Sequence, residues 1–294
     1  MLLAVAALAA APQSSADAGR PQTGRQQTDT TFAAQPGGRL RVDLHQGSLR
    51  VRSWDEPRVR IAATHSSRVR VRIRQSADMV RIEADPDGGA GRSVDYEITV
   101  PRSFGIYVDG VYAETAIENV DGRIRVHNVQ GDIAVRDGRG ELDLESVDGA
   151  IVVSGVQGRV DVESVNKGIT ITDVAGNVRA EAVNGSVQLA GIDADSVAVE
   201  SLNGNLDYRG SIRSRGRYRF STHNGAIRVA VPAGTDATVR VSTHNGSVQS
   251  DFPVQLRQMS ASDRVTFVIG NGGARLDLES FGGSIRLLRQ DAGR

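Results

Sequence analysis

The sequence predicts an all-β fold, a parallel β-solenoid (β-helix) with about eighteen residues and two strands per coil and its handedness left open. Three observations predict it. Glycines fall on a nine-residue grid at Gly122, Gly131, Gly140, Gly149, Gly158, Gly176 and Gly185. Apolar residues recur at the second, fourth and seventh places after each grid position, as in Leu142/Leu144/Val147, Ile151/Val153/Val156 and Val160/Val162/Val165. Finally, 33 glycines and few aromatics in 294 residues imply many short strands separated by turns. A nine-residue unit has room for one strand and a turn and cannot bury its apolar face alone, so units must stack.

Taken in order, Met1 to Ala11 is an apolar run with Ala-x-Ala sites, followed by polar Pro12-Gln13-Ser14-Ser15. This is the pattern of a secretory signal, here assigned to residues 1–20. Residues 21–30 are polar without apolar period and are expected to be a disordered linker. One solenoid domain is expected over 31–290. Within it, 31–101 carries alternating segments such as Leu40-Arg41-Val42-Asp43-Leu44 and Tyr96-Glu97-Ile98-Thr99-Val100, which imply half-buried strands that cap the stack. Residues 104–208 carry the regular repeats. Their phase slips once, by one residue, before Val197/Val199/Leu202. The turns alternate as well: Glu145-Ser146-Val147-Asp148-Gly149, Glu163-Ser164-Val165-Asn166, Glu181-Ala182-Val183-Asn184-Gly185 and Glu200-Ser201-Leu202-Asn203-Gly204 return every second unit, which sets two strands per coil. Residues 209–290 are expected to form irregular C-terminal coils, with Thr222-His223-Asn224-Gly225 and Thr243-His244-Asn245-Gly246 repeating each other.

The repeated Val-Asp/Asn-Gly-x-Ile/Val-x-Val units, Gly47-Ser48-Leu49-Arg50-Val51-Arg52-Ser53-Trp54 and Val231-Pro232-Ala233-Gly234-Thr235 resemble the bacterial putative-adhesin family of β-strand-repeat (β-helical) proteins of unknown function. The resemblance spans about 31 to 290 and implies a β-helical architecture and an envelope location. It supplies no functional residues.

Charge narrows the partners. With 35 basic and 35 acidic residues, bulk electrostatics points to neither nucleic acid nor an acidic membrane. No specific nucleic acid is expected, and no transmembrane segment in the mature chain. The chain has no cysteine, hence no disulfide framework and no lipid-attachment site. The expected location is exported: periplasmic, cell surface or extracellular.

Candidate sites follow from the outward residues. One strand set reads Glu141/Asp143/Glu145 and Arg159/Asp161/Glu163, a charged side. The other is small and mostly uncharged, and its Val152, Thr170, Thr172 and Gln188 are candidate binding residues. That face either docks a partner or is covered by the chain's own N-terminal strands. Arg68, Arg70, Arg72 and Arg74 are expected to alternate along one strand face, either as a polyanion site or as a guard against edge-to-edge pairing. Glu145, Glu163, Glu181 and Glu200 are expected to stack as a ladder, held by a divalent cation or simply solvated and partly neutralised by Arg159 and Arg179. The solvated alternative is preferred, so no metal and no cofactor are assigned. His223 and His244 would bind a transition metal only if the coils brought them together. Asp87-Gly88-Gly89-Ala90-Gly91 leads into a strand pattern, unlike a phosphate loop.

These features predict a non-enzymatic exported solenoid that presents a repetitive surface for adhesion or cell-envelope interaction, with an envelope protein or surface polymer as partner. The first alternative is a protein-binding structural or sensory component of an envelope-stress system. The second, a carbohydrate-active β-helix enzyme, is disfavoured because the repeats lack long loops to wall a substrate cleft.

Overall fold

Period-two segments become strands here because each inward Val, Leu or Ile contributes about 1.5–3 kcal/mol when fully buried, and stacking buries it on every rung. The computed structural model describes residues 25–76, 78–85, 93–253, 255–259 and 264–290. Across them it is strand and turn without helix, and its twenty-three strands join one long, mostly parallel sheet.

In the regular region, Ile151–Ser164 pairs in parallel with Ile133–Asp148 on one side and with Ile169–Thr172 and Val178–Ala182 on the other. Stacked residues lie eighteen apart in sequence, as where Arg125 meets Asp143. The one-residue slip falls between Asp193, which still pairs with Ala175, and Val197, which pairs with Val178. Side chains also tie the coils together. The Asn184 amide donates to Asn166, Asn203 to Asn184 and Asn224 to Asn203, at 3.3, 3.0 and 2.9 Å. The second and fourth residues of each unit form the core, with Ile151, Val153, Val160, Val162, Ile169 and Ile171 fully buried.

Chain order and stacking order part company at both ends. Arg39–Trp54 lies between Gly105–Val120 on one side and Met79–Asp85 and Val94–Pro101 on the other. At the far end Ala274–Ser280 inserts between Arg217–Thr222 and Ala237–Thr243. Likewise, Ile285–Gln290 separates Ile227–Pro232 from Val248–Ser250. The C-terminal coil is therefore internal, and the two Thr-His-Asn-Gly turns are not neighbours. Antiparallel pairs close the array. Arg25–Ala33 lies on Arg58–Ser66, which lies on Val94–Pro101, and Gln255–Met259 lies on Arg264–Ile269, which lies on Ala237–Thr243.

Three sequence expectations need correction. The linker expected over 21–30 does not extend through residues 25–30, because Arg25–Ala33 is a paired strand whose Asp29 accepts from Arg60. Arg68 is in a turn and only Arg70, Arg72 and Arg74 share the strand Arg70–Gln75. The N-terminal strands extend the stack beyond Gly105–Val120 instead of covering the small uncharged face. The signal segment and Asp87 to Gly91 lie outside the described residues.

Candidate functional site

The seventh-place apolar residues fall into two groups. At one corner of the coil Val120, Val156, Val174 and Ile192 are buried, but at the other Val129, Val147, Val165, Val183 and Leu202 are between 36% and 51% exposed. Backbone handedness separates the two. At the closed corner the sixth-place residue has positive φ, Asn119 60°, Asp137 49°, Gly155 68°, Asp173 53° and Gly191 65°, and in all but Asp137, which Gly138 follows, an apolar residue comes next. One left-handed residue shifts the in-and-out alternation by one place and turns the next side chain inward. At the open corner the corresponding residues are Asn128, Ser146, Ser164, Ala182 and Ser201, all buried. There the alternation simply continues, so glutamate points out, serine in and valine out.

From Glu145 to Glu200 each open-corner rung thus places a glutamate and a valine or leucine on either side of a buried small residue, and stacking turns these into three rows. The glutamate row runs in register His127, Glu145, Glu163, Glu181, Glu200, Ser221, Glu279, Ser242. The apolar row ends in aromatic rings. Phe281 stacks between His223 and His244, with centroids 4.7 and 4.9 Å apart. Between the rows lies a groove of about 610 Å³. Its floor is tied to the turns, since Ser164 donates to the Lys167 carbonyl, Ser201 to that of Gly185, Thr222 to that of Gly204 and Ser280 to that of Gly225.

The carboxylates are unevenly neutralised. Glu145 pairs with His127 and Glu181 with Arg179. Arg159, expected to help, meets Asp161 at 3.6 Å instead. Among the described residues, Glu163, Glu200 and Glu279 have no ion-pair partner. Partial burial, with Glu181, Glu145 and Asp161 nearby, pushes the Glu163 carboxyl above its ordinary value, and Arg179 opposes the shift. Among the described residues no group of three or more histidines, aspartates or glutamates is placed to hold a metal ion. The two histidines considered for one are held apart by Phe281.

The other candidates are placed as follows. Val152, Thr170 and Gln188 stack in register on an open face, continuing Ala116 and Ala134, with Thr172 two residues along its strand. Val152 and Gln188 are exposed and the threonines half-buried. Arg70, Arg72 and Arg74 are exposed on an edge strand opposite Met79–Asp85, where Arg74 approaches Glu83 at 3.8 Å. Sequence periodicity found the glutamate ladder but missed the groove. The overlooked signal is the sixth place of each unit from Asp137 onward, where Asp or Gly marks the closed corner and Ser or Ala the open one, whereas the first turn has asparagine at both, Asn119 and Asn128.

Among the described residues no helix is long and apolar enough to cross a membrane, which says nothing of strands. No curated protein matches the chain. A solved structure described as a "putative cell adhesion protein" from Clostridium sporogenes is 9% identical, covering 90% of this chain and 100% of that one, with a TM-score of 0.24, too low to carry an argument. The Toastrack DUF4097 family model matches residues 102–288, which takes in the whole groove, and the chain therefore belongs to the Toastrack DUF4097 family.

Proposed function

We propose that this protein is a non-enzymatic, exported binding scaffold that presents a repetitive surface for adhesion or other contact with the cell envelope. We read its architecture as coils of about eighteen residues with two strands each, so that one binding element recurs on every rung. The observation that carries the proposal is the unbroken exposed row Val129, Val147, Val165, Val183 and Leu202. A contiguous apolar stripe that the next turn residue could have made polar supports a partner surface. Repetition supports binding by many weak contacts whose strengths combine along the stack.

The small face bearing Val152, Thr170, Thr172 and Gln188 is a second contact surface in this proposal. Polyanion contact through Arg68, Arg70, Arg72 and Arg74 is a lesser one, since acidic residues on the adjoining strand compete for those arginines. The acidic groove favours, as a second reading, a protein-binding component of an envelope-stress system.

A crosslinking pull-down from the native envelope with the full chain tests this. Val165→Arg/Val183→Arg and Val152→Arg/Thr170→Arg double variants run alongside. Recovery of a polymer lost by either variant supports adhesion through that face, and recovery of one protein supports the second reading. If the parent chain retains no envelope component above a scrambled control, the scaffold proposal falls.

A further inference from the structure

We propose that the open-corner groove holds an extended polypeptide segment in which basic and apolar residues alternate, the basic side chains facing the glutamate row and the apolar ones the valine row. This rests on the scaffold reading and specifies what one of its surfaces takes.

The width of the groove comes first. Its walls are residues i and i+2 along the chain, and where both lie in one strand, as Glu145 and Val147 do in Ile133–Asp148, they are about 7 Å apart along an extended backbone. An α-helix about 10 Å across is too wide for that slot, whereas a single extended chain lies within it. Alternate side chains of an extended chain point to opposite sides, so each wall meets every second residue of the occupant. The strand backbone beneath is already paired on both sides, and Ser164 and Ser201 spend their hydroxyls on turn carbonyls. Recognition therefore falls to the two outward rows.

The chemistry of the walls then selects the occupant. Glu163, Glu200 and Glu279 lack ion-pair partners among the described residues, and partial burial together with in-register Glu181 and Glu145 raises the Glu163 carboxyl, so the row gains by receiving positive charge. Isolated divalent ions fit less well, because the ladder offers no group of three or more ligands on one point and leaves the valine row uncovered. A polycation without apolar side chains leaves that row uncovered too. Only a chain carrying both satisfies both walls.

The spacing sets the mode of contact. Rungs repeat at about 4.8 Å and same-side residues of an extended chain at about 6.8 Å, so three rungs match roughly two repeats. Basic side chains then fall between carboxylates and are shared, which tolerates sequence variation in the partner. The register from His127 to Ser242 spans about 34 Å, enough for about ten extended residues.

The test is a fluorescence-anisotropy titration of the full chain with a fluorescein-labelled peptide of about ten residues alternating Lys and Val, beside Lys–Ser and Glu–Val peptides of equal length. The expected result is saturable binding of Lys–Val that weakens with salt, with both controls at least roughly tenfold weaker. A Glu163→Gln/Glu200→Gln variant and a Val165→Ser/Val183→Ser variant are each expected to lose roughly tenfold in affinity while melting like the parent. Val152→Arg/Thr170→Arg, on the other face, should bind normally. Equal binding of Lys–Ser and Lys–Val, undiminished binding by either groove variant, or no binding of Lys–Val at all would overturn the proposal. If the peptide fails while the parent still captures envelope material, the groove inference falls and the scaffold reading stands. If the peptide binds while nothing is captured from the envelope, the scaffold reading falls instead.

Discussion

Two corners of the same coil are built from nearly the same letters and behave in opposite ways. In Ser154-Gly155-Val156 the valine closes over the core, and in Glu163-Ser164-Val165 it stands in solvent. The difference is one residue in the left-handed region, Gly155 at φ 68°, against a serine that keeps the strand alternation. Hydrophobicity alone therefore does not say which valines hold the protein together. The closed corner completes the core, while the open corner ties Ser164 and Ser201 to turn carbonyls, leaves the buried Ser146 hydroxyl without a partner and keeps its apolar row outside.

The comparison breaks most sharply by placing a charge at each corner. Val156→Asp buries an unpaired carboxylate and is expected to cost several kcal/mol, enough to abolish a cooperative melt or lower it by more than about 10 °C. Val165→Asp should melt within about 2 °C of the parent. Equal losses in thermal denaturation would mean that the open valine row is structural after all.

The turn residue itself is the next target. Gly155→Ala places a Cβ 2.2 Å from the Asp137 carboxylate in a backbone region that costs an L-residue roughly 1–2 kcal/mol. Ser164→Ala removes only the bond to the Lys167 carbonyl, worth about 0.5–1.5 kcal/mol. Chemical denaturation should rank Gly155→Ala as the more damaging, and the reverse order would show that hydroxyl ties, not handedness, hold the corners. At the aromatic end of the open row, Phe281→Ala separates two stacked rings and should cost about 1–3 kcal/mol. A neutral result there would detach the rings from the stability of the groove end.

The legible and illegible parts of the fold differ for physical reasons. Ile151, Val153, Ile169 and Ile171 announced the strands because burial is repeated on every rung, and the slip before Val197 was visible because the buried residues keep phase. The threading of Ala274–Ser280 between Arg217–Thr222 and Ala237–Thr243 was not visible, because all three carry the same pattern and offer equally good edges. The glutamate row was legible as a ladder, since Glu145, Glu163, Glu181 and Glu200 recur at fixed spacing. Its role as a wall was hidden because periodicity alone does not separate the buried seventh-place valines from the exposed ones. Ser146 against Gly155 held that information, because only a residue at ease with positive φ turns its neighbour inward.

The smallest effect probes charge along the open row. Glu163 has a carboxyl raised above its unperturbed 4.5 by partial burial and by Glu181 and Glu145. The folded state therefore binds this proton more tightly than the unfolded chain does. Its stabilising contribution is fully present below the unfolded value and is lost as pH rises through the higher folded value, so ionisation above that range works against folding. Glu163→Gln removes the titration without changing the shape of the side chain. Its melting temperature should equal or slightly exceed that of the parent near pH 7, and the gap should close as pH falls below about 4.5. A gap that widened towards acid would mean that the ionised Glu163 is stabilised in place. The carboxylate row would then already be satisfied within the chain, with no excess charge to offer a basic partner.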